Sequence, residues 1–318
     1  MATQVMMNSH PAASPVVPVQ AVLTDDSETV LRFAAEALSA GMATALVTLV
    51  EIRGGAARAI GAQMAVREDG YYCGFVSGGC IEHAAACEAL DVIASGQDRL
   101  VKYGEGSPWF DIVLPCGGGI TLAIHKLRSV QPVLAVLNAL ALRQSACLSW
   151  CATSRQLHST PGRKTEGWHD GGYSVRYQPK VRVIVAGGAL EGQTTALLTK
   201  ASGYDVQVLD GLNPLKLSHL IDRNTAVVLL YHDSERELPI LQHALAASPF
   251  YIGALGSTRT HGKRVRKLQQ LGWSEADIAR IHAPVGIFPK ARDAHSLALS
   301  ILAHIAAVRQ STLAESEV

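Results

Sequence analysis

The chain has 318 residues, 48% of them hydrophobic and 17% charged, with a formal net charge of +1. That composition is too apolar for a disordered chain, is long enough for about two domains with buried cores, and carries no basic excess of the kind a nucleic-acid binder shows. Aromatic residues make up only 5% while glycine occurs 28 times, a balance that favours close helix–sheet packing and an α/β architecture.

Residues 1–22 lack a basic segment and an unbroken apolar run, and Pro11, Pro15 and Pro18 interrupt them, so they read as a flexible leader and not as a signal peptide. Glu28–Ala40 has the apolar spacing of an amphipathic helix, with Asp25 or Asp26 as cap and Gly41 as stop. Thr44–Ile52 is a β-branched, buried strand. A loop of small residues, Arg53–Gly61, leads to a hairpin, Gln63–Arg67 and Tyr71–Val76, across Glu68-Asp69-Gly70. Ile81–Ser95 is a helix stopped by Gly96, and Leu100–Tyr103, Asp111–Leu114 and Gly119–His125 are further strands. Residues 23–128 therefore predict an N-terminal α+β domain. Residues 129–180 predict a connecting segment, with a helix at Val133–Arg143, short strands at Cys147–Thr153 and Tyr173–Tyr177, and an exposed loop at Gln156–Gly172. Over 181–310 strand and helix alternate: strands at Val181–Ala186, Asp205–Asp210, Ala226–Tyr231 and Phe250–Ala254, helices at Gly192–Ala201, Glu237–Ala247, Thr260–Leu271, Ser274–Ala279 and Asp293–Gln310. That order predicts a Rossmann-like domain with a parallel sheet, followed by a tail, 311–318. Ser296–Val308, the most apolar late stretch, is too short to span a bilayer, so a cytoplasmic protein with no membrane partner is expected.

Six cysteines in a chain of this length do not make a disulfide scaffold. Cys147 and Cys151 lack the C-x-x-C spacing of a zinc ligand pair, and no resident metal site is expected. Two cysteines sit instead in glycine turns. Ser77-Gly78-Gly79-Cys80-Ile81-Glu82 runs from a strand into a helix, which places Cys80 near a helix N-terminus, where free amides and the helix dipole favour thiolate. Cys116-Gly117-Gly118-Gly119 sets a cysteine before three glycines whose amides can form an anion-binding concavity. Arg53 and Arg58 add positive charge nearby. The alternative is that both cysteines are small residues at tight turns. Glu82 and His83 are candidate acid–base groups, with a helix-surface role the alternative for His83.

Two more glycine turns lie in the second half. Ala186-Gly187-Gly188-Ala189-Leu190-Glu191-Gly192 joins a strand to a helix as in a Rossmann phosphate cradle, and Asp210 lies 23 residues after Gly187, where an acidic residue can bind a ribose hydroxyl. Ala189 stands where the second glycine of that fingerprint belongs, and Glu191 at the helix start disfavours an anion. The alternative is therefore a Rossmann-like fold with a tight turn and no classical cofactor. Tyr251-Ile252-Gly253-Ala254-Leu255-Gly256-Ser257-Thr258-Arg259 turns on Gly253 and Gly256, with Ser257 or Thr260 as helix cap and Arg259, Lys263 and Arg264 making a basic corner suited to phosphate.

Taken together, Ser77-Gly78-Gly79-Cys80-Ile81-Glu82, Cys116-Gly117-Gly118, Tyr251-Ile252-Gly253-Ala254-Leu255-Gly256-Ser257 and His282-Ala283-Pro284-Val285-Gly286 resemble the xanthine dehydrogenase accessory factor family (XdhC/CoxI type) over residues 28–125 and 179–308. The resemblance implies a chaperone and not an enzyme. It would bind molybdenum cofactor, as molybdopterin or its cytosine dinucleotide form, protect it during sulfuration and deliver it to the molybdenum-binding subunit of an aldehyde oxidoreductase or xanthine dehydrogenase. A homodimer is implied, with a cysteine desulfurase and a molybdopterin cytidylyltransferase as further partners. The cofactor-binding set is then Arg58, Ser77, Gly78, Gly79, Cys80, Cys116, Gly117, Gly118, Gly187, Gly188, Asp210, Gly256, Ser257 and Arg259, with Cys80 and Cys116 nearest the molybdenum. The chain departs from the family in three places: Gly55-Ala56-Ala57-Arg58 keeps only the arginine of a Ser-Ser-Pro-Arg loop, Gly187-Gly188-Ala189-Leu190 replaces Gly-x-Gly-His, and Phe288-Pro289-Lys290-Ala291 replaces Asp-Ile-Gly-Ala. Two rival readings remain: an NAD(P)-dependent oxidoreductase using Gly187, Gly192 and Asp210, and a sulfur-transfer enzyme carrying a persulfide on Cys80.

Overall fold

A computed structural model describes residues 16–107, 117–162, 166–187, 189–209, 217, 219–288 and 290–316. The chain divides into two compact units, Met1–Pro179 and Lys180–Val318.

The first unit is built on a six-stranded sheet in the order β1-β4-β3-β2-β6-β5. Its strands are β1 (Val19–Val22), β2 (Thr44–Arg53), β3 (Gln63–Arg67), β4 (Tyr71–Gly74), β5 (Arg99–Gly104) and β6 (Gly119–Lys126), joined by helices α1 (Ser27–Ser39) and α2 (Glu82–Ser95). β1 pairs parallel with β4 and the other pairs are antiparallel. β2 is central and its first seven residues are buried, because both faces are covered. Ala45, Val47 and Leu49 pack with α2 through Ala85, Ala86, Ala89 and Val92. Leu46 and Val50 pack with Val30, Leu31 and Ala34 of α1 on the other face, as the period of two requires. Asp26 caps α1, its carboxylate accepting from Thr29 N at 3.1 Å.

Two expectations are corrected here. Val19–Val22, placed in the leader, forms the edge strand β1. Residues 129–180 are not a connector: α3 (Gln131–Ala141) packs on β7 (Ala146–Cys151) and β8 (Gln156–Pro161), and with β9 (Gly167–His169) and β10 (Gly172–Tyr177) these strands make an antiparallel sheet in the order β8-β7-β10-β9. The polar, Gly- and Pro-containing stretch expected as a loop thus supplies both edge strands, where such residues are tolerated. Val133, Val136, Leu148, Tyr173 and Val175 share one core with Leu46 and Ala123 of the larger sheet. Asp98 pins the two sheets together: it accepts from His125 Nδ1 (2.6 Å), Trp150 Nε1 (3.2 Å), Arg128 and the Lys126 amide. Burial raises the Asp98 pKa, but His125, Arg128 and the amide outweigh it and hold the carboxyl at about 2.

The second unit is a parallel sheet in the order β12-β11-β13-β14-β15, from β11 (Arg182–Ala186), β12 (Asp205–Leu209), β13 (Thr225–Leu229), β14 (Tyr251–Ala254) and β15 (Ile281–His282). Helices α4 (Ala189–Ala201), α5 (Ser234–Ala247), α6 (Thr258–Gln270), α7 (Glu275–Ala279) and α8 (Ala294–Ser316) complete it. Val183, Val185 and Val228 pack with Ile301 and Ile305 of α8, while Ile184, Val227 and Ile252 pack with Leu241 of α5 and Leu268 of α6. The sheet is therefore doubly wound, and the order reverses between β11 and β13, where ligand crevices form in such folds.

Candidate functional site

In the first unit the register of β2 and β6 decides the site. Arg53 at the end of β2 pairs with Gly119 at the start of β6, and Gly119 pairs with Gly104 at the end of β5. β4 runs parallel to β2, two strands away, so its end lies at the same edge. The loops after β2 and β4 and before β6 therefore meet. A Cβ on Gly118 would collide with the carbonyls of Arg53 and Gly55, and one on Gly78 would press on Ala57 Cβ at 3.1 Å. Three glycine-bearing loops far apart in sequence thus converge, and only a residue without a side chain fits at 118.

Glu82, the first residue of α2, organises the 77–81 loop. Its carboxylate is buried and accepts from Val76 N (3.1 Å), Ser77 N (2.7 Å), Ile81 N (3.2 Å) and Ser77 Oγ (2.9 and 2.8 Å to its two oxygens). The anion in this turn is the protein's own, so Glu82 is a structural anchor and not an acid–base group, and the amides it draws on are unavailable to a ligand. The amides of Gly78, Gly79 and Cys80 lie outside that set, on an exposed stretch. The exposed Cys80 thiol donates to Ser77 Oγ at 3.3 Å, which in turn donates to Glu82. Cys80 therefore stands at the convergence with its thiol held by a relay to a buried carboxylate. Cys116 lies outside the described residues, while Gly117 is exposed and Gly118 buried.

The arginines behave differently. Arg53, expected as local positive charge, is taken up by Glu51 (2.8 Å), Thr121 (2.8 Å) and the carbonyls of Glu105 and Ile120, and serves to clamp the loop. Arg58 bonds Asp25 at 2.7 Å and lines a separate cavity of about 320 Å³ with Ser27, Glu166 and Arg176. Ala57 also lines that cavity, so Arg58 sits one residue from the loop convergence and not within it.

In the second unit a cavity of about 620 Å³ opens at the C-terminal ends of the strands. That size is within the ~300–1,000 Å³ of small-molecule sites. Residues following β11 (Leu190, Glu191), β13 (His232), β14 (Leu255, Gly256, Ser257, Thr258) and β15 (Pro284, Val285) line it. Phe288, Lys290, Arg292 and Asp293 close it from the segment before α8. The walls are mostly apolar, with two cations (Lys290 and Arg292), two carboxylates (Glu191 and Asp293) and the N-terminal ends of α4, α6 and α8. Ser257 caps α6, its Oγ accepting from Thr260 N at 3.2 Å, and Asp293 accepts from Ser296 N at 2.8 Å. The cavity floor is braced by a buried pair: Arg264 donates to Glu237 through Nε (2.5 Å) and Nη2 (2.9 Å) and to the Leu255 carbonyl (2.8 Å).

Of the second-unit residues in the expected cofactor-binding set, Gly256 and Ser257 line this cavity. Gly187 and Arg259 are not among the lining residues. At Gly187, φ is +90° and a Cβ would run into the Tyr231 ring, so the missing side chain makes room for an aromatic ring of the protein itself. The glycine at 187 is thus explained by the protein's own packing, without a ligand. Arg264, expected as a phosphate contact, is buried with Glu237. Gly188 and Asp210 lie outside the described residues. Lys290, Arg292, Phe288 and His232 were missed in sequence, and the only signal for the first two was a pair of cations in a Pro-containing stretch ahead of a long helix.

Three comparisons bear on this geometry. A model of the XdhC and CoxI family matches residues 37–104, and a model described as the XdhC Rossmann domain matches residues 183–305. The chain is 60% identical over 292 residues to the molybdenum cofactor insertion chaperone PaoD of Escherichia coli (strain K12), covering 92% of each. It is 26% identical to the uncharacterized protein YqeB of the same organism, over 84% of this chain and 44% of that one. Among solved structures, a protein from Bacillus halodurans described as a xanthine dehydrogenase superposes with a TM-score of 0.68 at 20% identity, over 88% of this chain and 96% of that one, a likeness of fold.

Proposed function

The chain belongs to the XdhC and CoxI family, and from that premise we propose that it is a molybdenum cofactor insertion chaperone, which holds the cofactor and hands it to an apoenzyme without a reaction of its own. The observation that carries the reading is the 60% identity to PaoD, which extends over 92% of both chains and so spans both units. The cargo in this reading is the cytosine dinucleotide form, kept from water and oxidants while its sulfido ligand is added. The recipient is the molybdenum-binding subunit of an aldehyde oxidoreductase or xanthine dehydrogenase. A cysteine desulfurase, a cytidylyltransferase and a second copy of this chain are the further partners, and the cytoplasm is the place of action. No helix among the described residues is long and apolar enough to cross a membrane.

Each unit offers one binding surface suited to part of such a cargo. The Cys80 loop, with Ser77, Gly78, Gly79, Gly117 and Gly118, presents a thiol and small residues that let a planar, sulfur-rich group approach the backbone. The crevice of the second unit, with Gly256, Ser257, Lys290 and Arg292, suits an aromatic ring bearing phosphate: apolar walls for the ring and cations for the anion.

The test is purification from cells that make the cofactor, oxidation of any bound pterin to its fluorescent form, and release of CMP by hydrolysis to score the dinucleotide. Wild-type protein is expected to carry pterin and CMP in equal amounts. Cys80→Ala and Cys116→Ala are expected to weaken retention at the first surface, and Ala291→Trp, which fills the crevice, to weaken it at the second. Wild-type protein free of pterin would overturn the reading, and pterin without CMP would overturn the dinucleotide form.

A further inference from the structure

Helix α6 presents a feature that cargo binding does not use. At about 100° per residue, Arg259, Lys263, Arg266 and Lys267 fall on one face, and all four are exposed. The opposite face carries Leu268 and Arg264, both buried, the latter held by Glu237. The helix has no carboxylate, and among the described residues none of the four exposed cations has an ion-pair partner. Like charges stand four apart at 259/263 and 263/267 and three apart at 263/266, an arrangement that weakens an isolated helix. The stripe is about 12 Å long at ~1.5 Å per residue. It starts beside the crevice, because Ser257 and Thr258, at the N-terminal end of the same helix, line that cavity.

We propose that this stripe docks an acidic patch on the surface of the protein that receives the cargo, holding the recipient at the mouth of the crevice. The proposal rests on the chaperone reading for the identity of the recipient. A protein surface is favoured over a nucleic acid by the charge balance of the chain. The chain has 28 cations and 27 carboxylates; five of those cations and none of the carboxylates are on α6, so the rest of the chain is acidic by four. A stripe about 12 Å long on a chain with no basic excess elsewhere offers an extended polyanion few contacts, whereas a compact carboxylate patch needs no more than the stripe. Contacts of this kind act mainly on the association rate and fade with salt.

The experiment measures binding of the full chain to the apo molybdenum-binding subunit of an aldehyde oxidoreductase by interferometry, between 25 and about 200 mM salt, a range over which screening of exposed charges changes strongly. The variant is Lys263→Glu/Arg266→Glu/Lys267→Glu. Reversal of Lys263 sets opposite charges four apart with Arg259, while 263/266 and 263/267 stay like-charged as they are in the wild type, so a thermal melt checks the fold. Lys263→Ala/Arg266→Ala/Lys267→Ala, which removes the charges without reversing them, is expected to lose affinity in the same direction. The expected result is a loss of affinity of about 30-fold or more, mostly in the association rate, with a flattened salt dependence. None of the three residues, Lys263 of the expected phosphate corner included, lines the crevice, so pterin content of the variant is expected to stay at the wild-type level. Unchanged binding by the variant would overturn the proposal. So would wild-type binding to duplex DNA or to vesicles of anionic lipid with no binding to the subunit. Docking is scored without cargo, so a chain that docks but never carries pterin would refute the chaperone reading and leave the docking face standing.

Discussion

Replacing Glu82 with glutamine is the sharpest probe of how the Cys80 loop is held. The carboxylate is 2% exposed and accepts from three backbone amides and the Ser77 hydroxyl. A glutamine oxygen can keep the Val76 and Ser77 amides, but its amide nitrogen then faces the Ile81 N–H at the other position, donor against donor. One contact to the second oxygen is lost outright, from Ile81 N at 3.2 Å, and the one with Ser77 Oγ at 2.8 Å loses its charge. Hydrogen bonds to a charged group are worth about 1.5–3 kcal/mol each, and removing a buried charge returns part of that. The expected net loss is about 2–3 kcal/mol, and about 4 kcal/mol for Glu82→Ala, which strands all the donors and leaves a cavity. Urea unfolding gives the stability, and the alkylation rate of Cys80 reports the loop directly, since freeing Ser77 releases the thiol's partner. A glutamine variant within about 0.5 kcal/mol of wild type, the ordinary range for a surface substitution, and with an unchanged alkylation rate, would refute the anchoring role.

Three further outcomes follow from buried charges. Asp98→Asn is expected to cost about 2 kcal/mol at neutral pH, from a carboxyl held at about 2 instead of 3.8. Because the folded pKa is the lower one, that stability is present above pH ~4 and is lost as pH falls toward 2, so the variant should show a flatter acid limb in pH-dependent unfolding. In the second unit the His282 and His304 rings pack with their centroids 4.7 Å apart, and Tyr251 Oη is hydrogen-bonded to His304 Nδ1 at 3.1 Å. Burial lowers both pKa values below the usual 6.5, and the neighbouring His304 lowers His282 further. The unfolded chain therefore binds protons first as pH drops below 6.5, and hydrogen-exchange protection over 251–286, corrected for the slower intrinsic exchange at lower pH, should fall there, less so in His304→Gln. Glu237→Gln leaves Arg264 buried beside a neutral partner and should cost about 3–5 kcal/mol in urea unfolding, with Arg264→Lys intermediate because a lysine cannot make the bidentate contact.

Local patterns were legible in the sequence, and long-range ones were not. The Asp69-Gly70 hairpin, the Ser257 cap and the strand–helix alternation after residue 181 are each decided within a few residues, and each stands as expected. The meeting of the Gly55, Gly78 and Gly118 loops depends instead on the antiparallel register of β2 and β6, some 65 residues apart in sequence, which no local pattern encodes. The β8–β9 strands were misread because turn residues also occupy sheet edges. β1 was missed because a short strand among prolines draws its order from its partner β4. At the candidate sites the glycines mark turns but not what packs in them: Glu82 fills one and Tyr231 covers another. Arg264 looked free in sequence because its counter-charge, Glu237, sits 27 residues earlier on a different helix.

Transfer of cargo bears on the whole of this picture at once. Protein purified from cofactor-making cells, freed of unbound pterin, is mixed with the apo molybdenum-binding subunit of an aldehyde oxidoreductase, and the appearance of enzyme activity is followed against loss of pterin from the chain. A chaperone of insertion restores activity in proportion to the pterin it gives up, more slowly with Cys80→Ala or Ala291→Trp. Pterin that stays on the chain, or activity no greater than free cofactor supplies, would contradict that role.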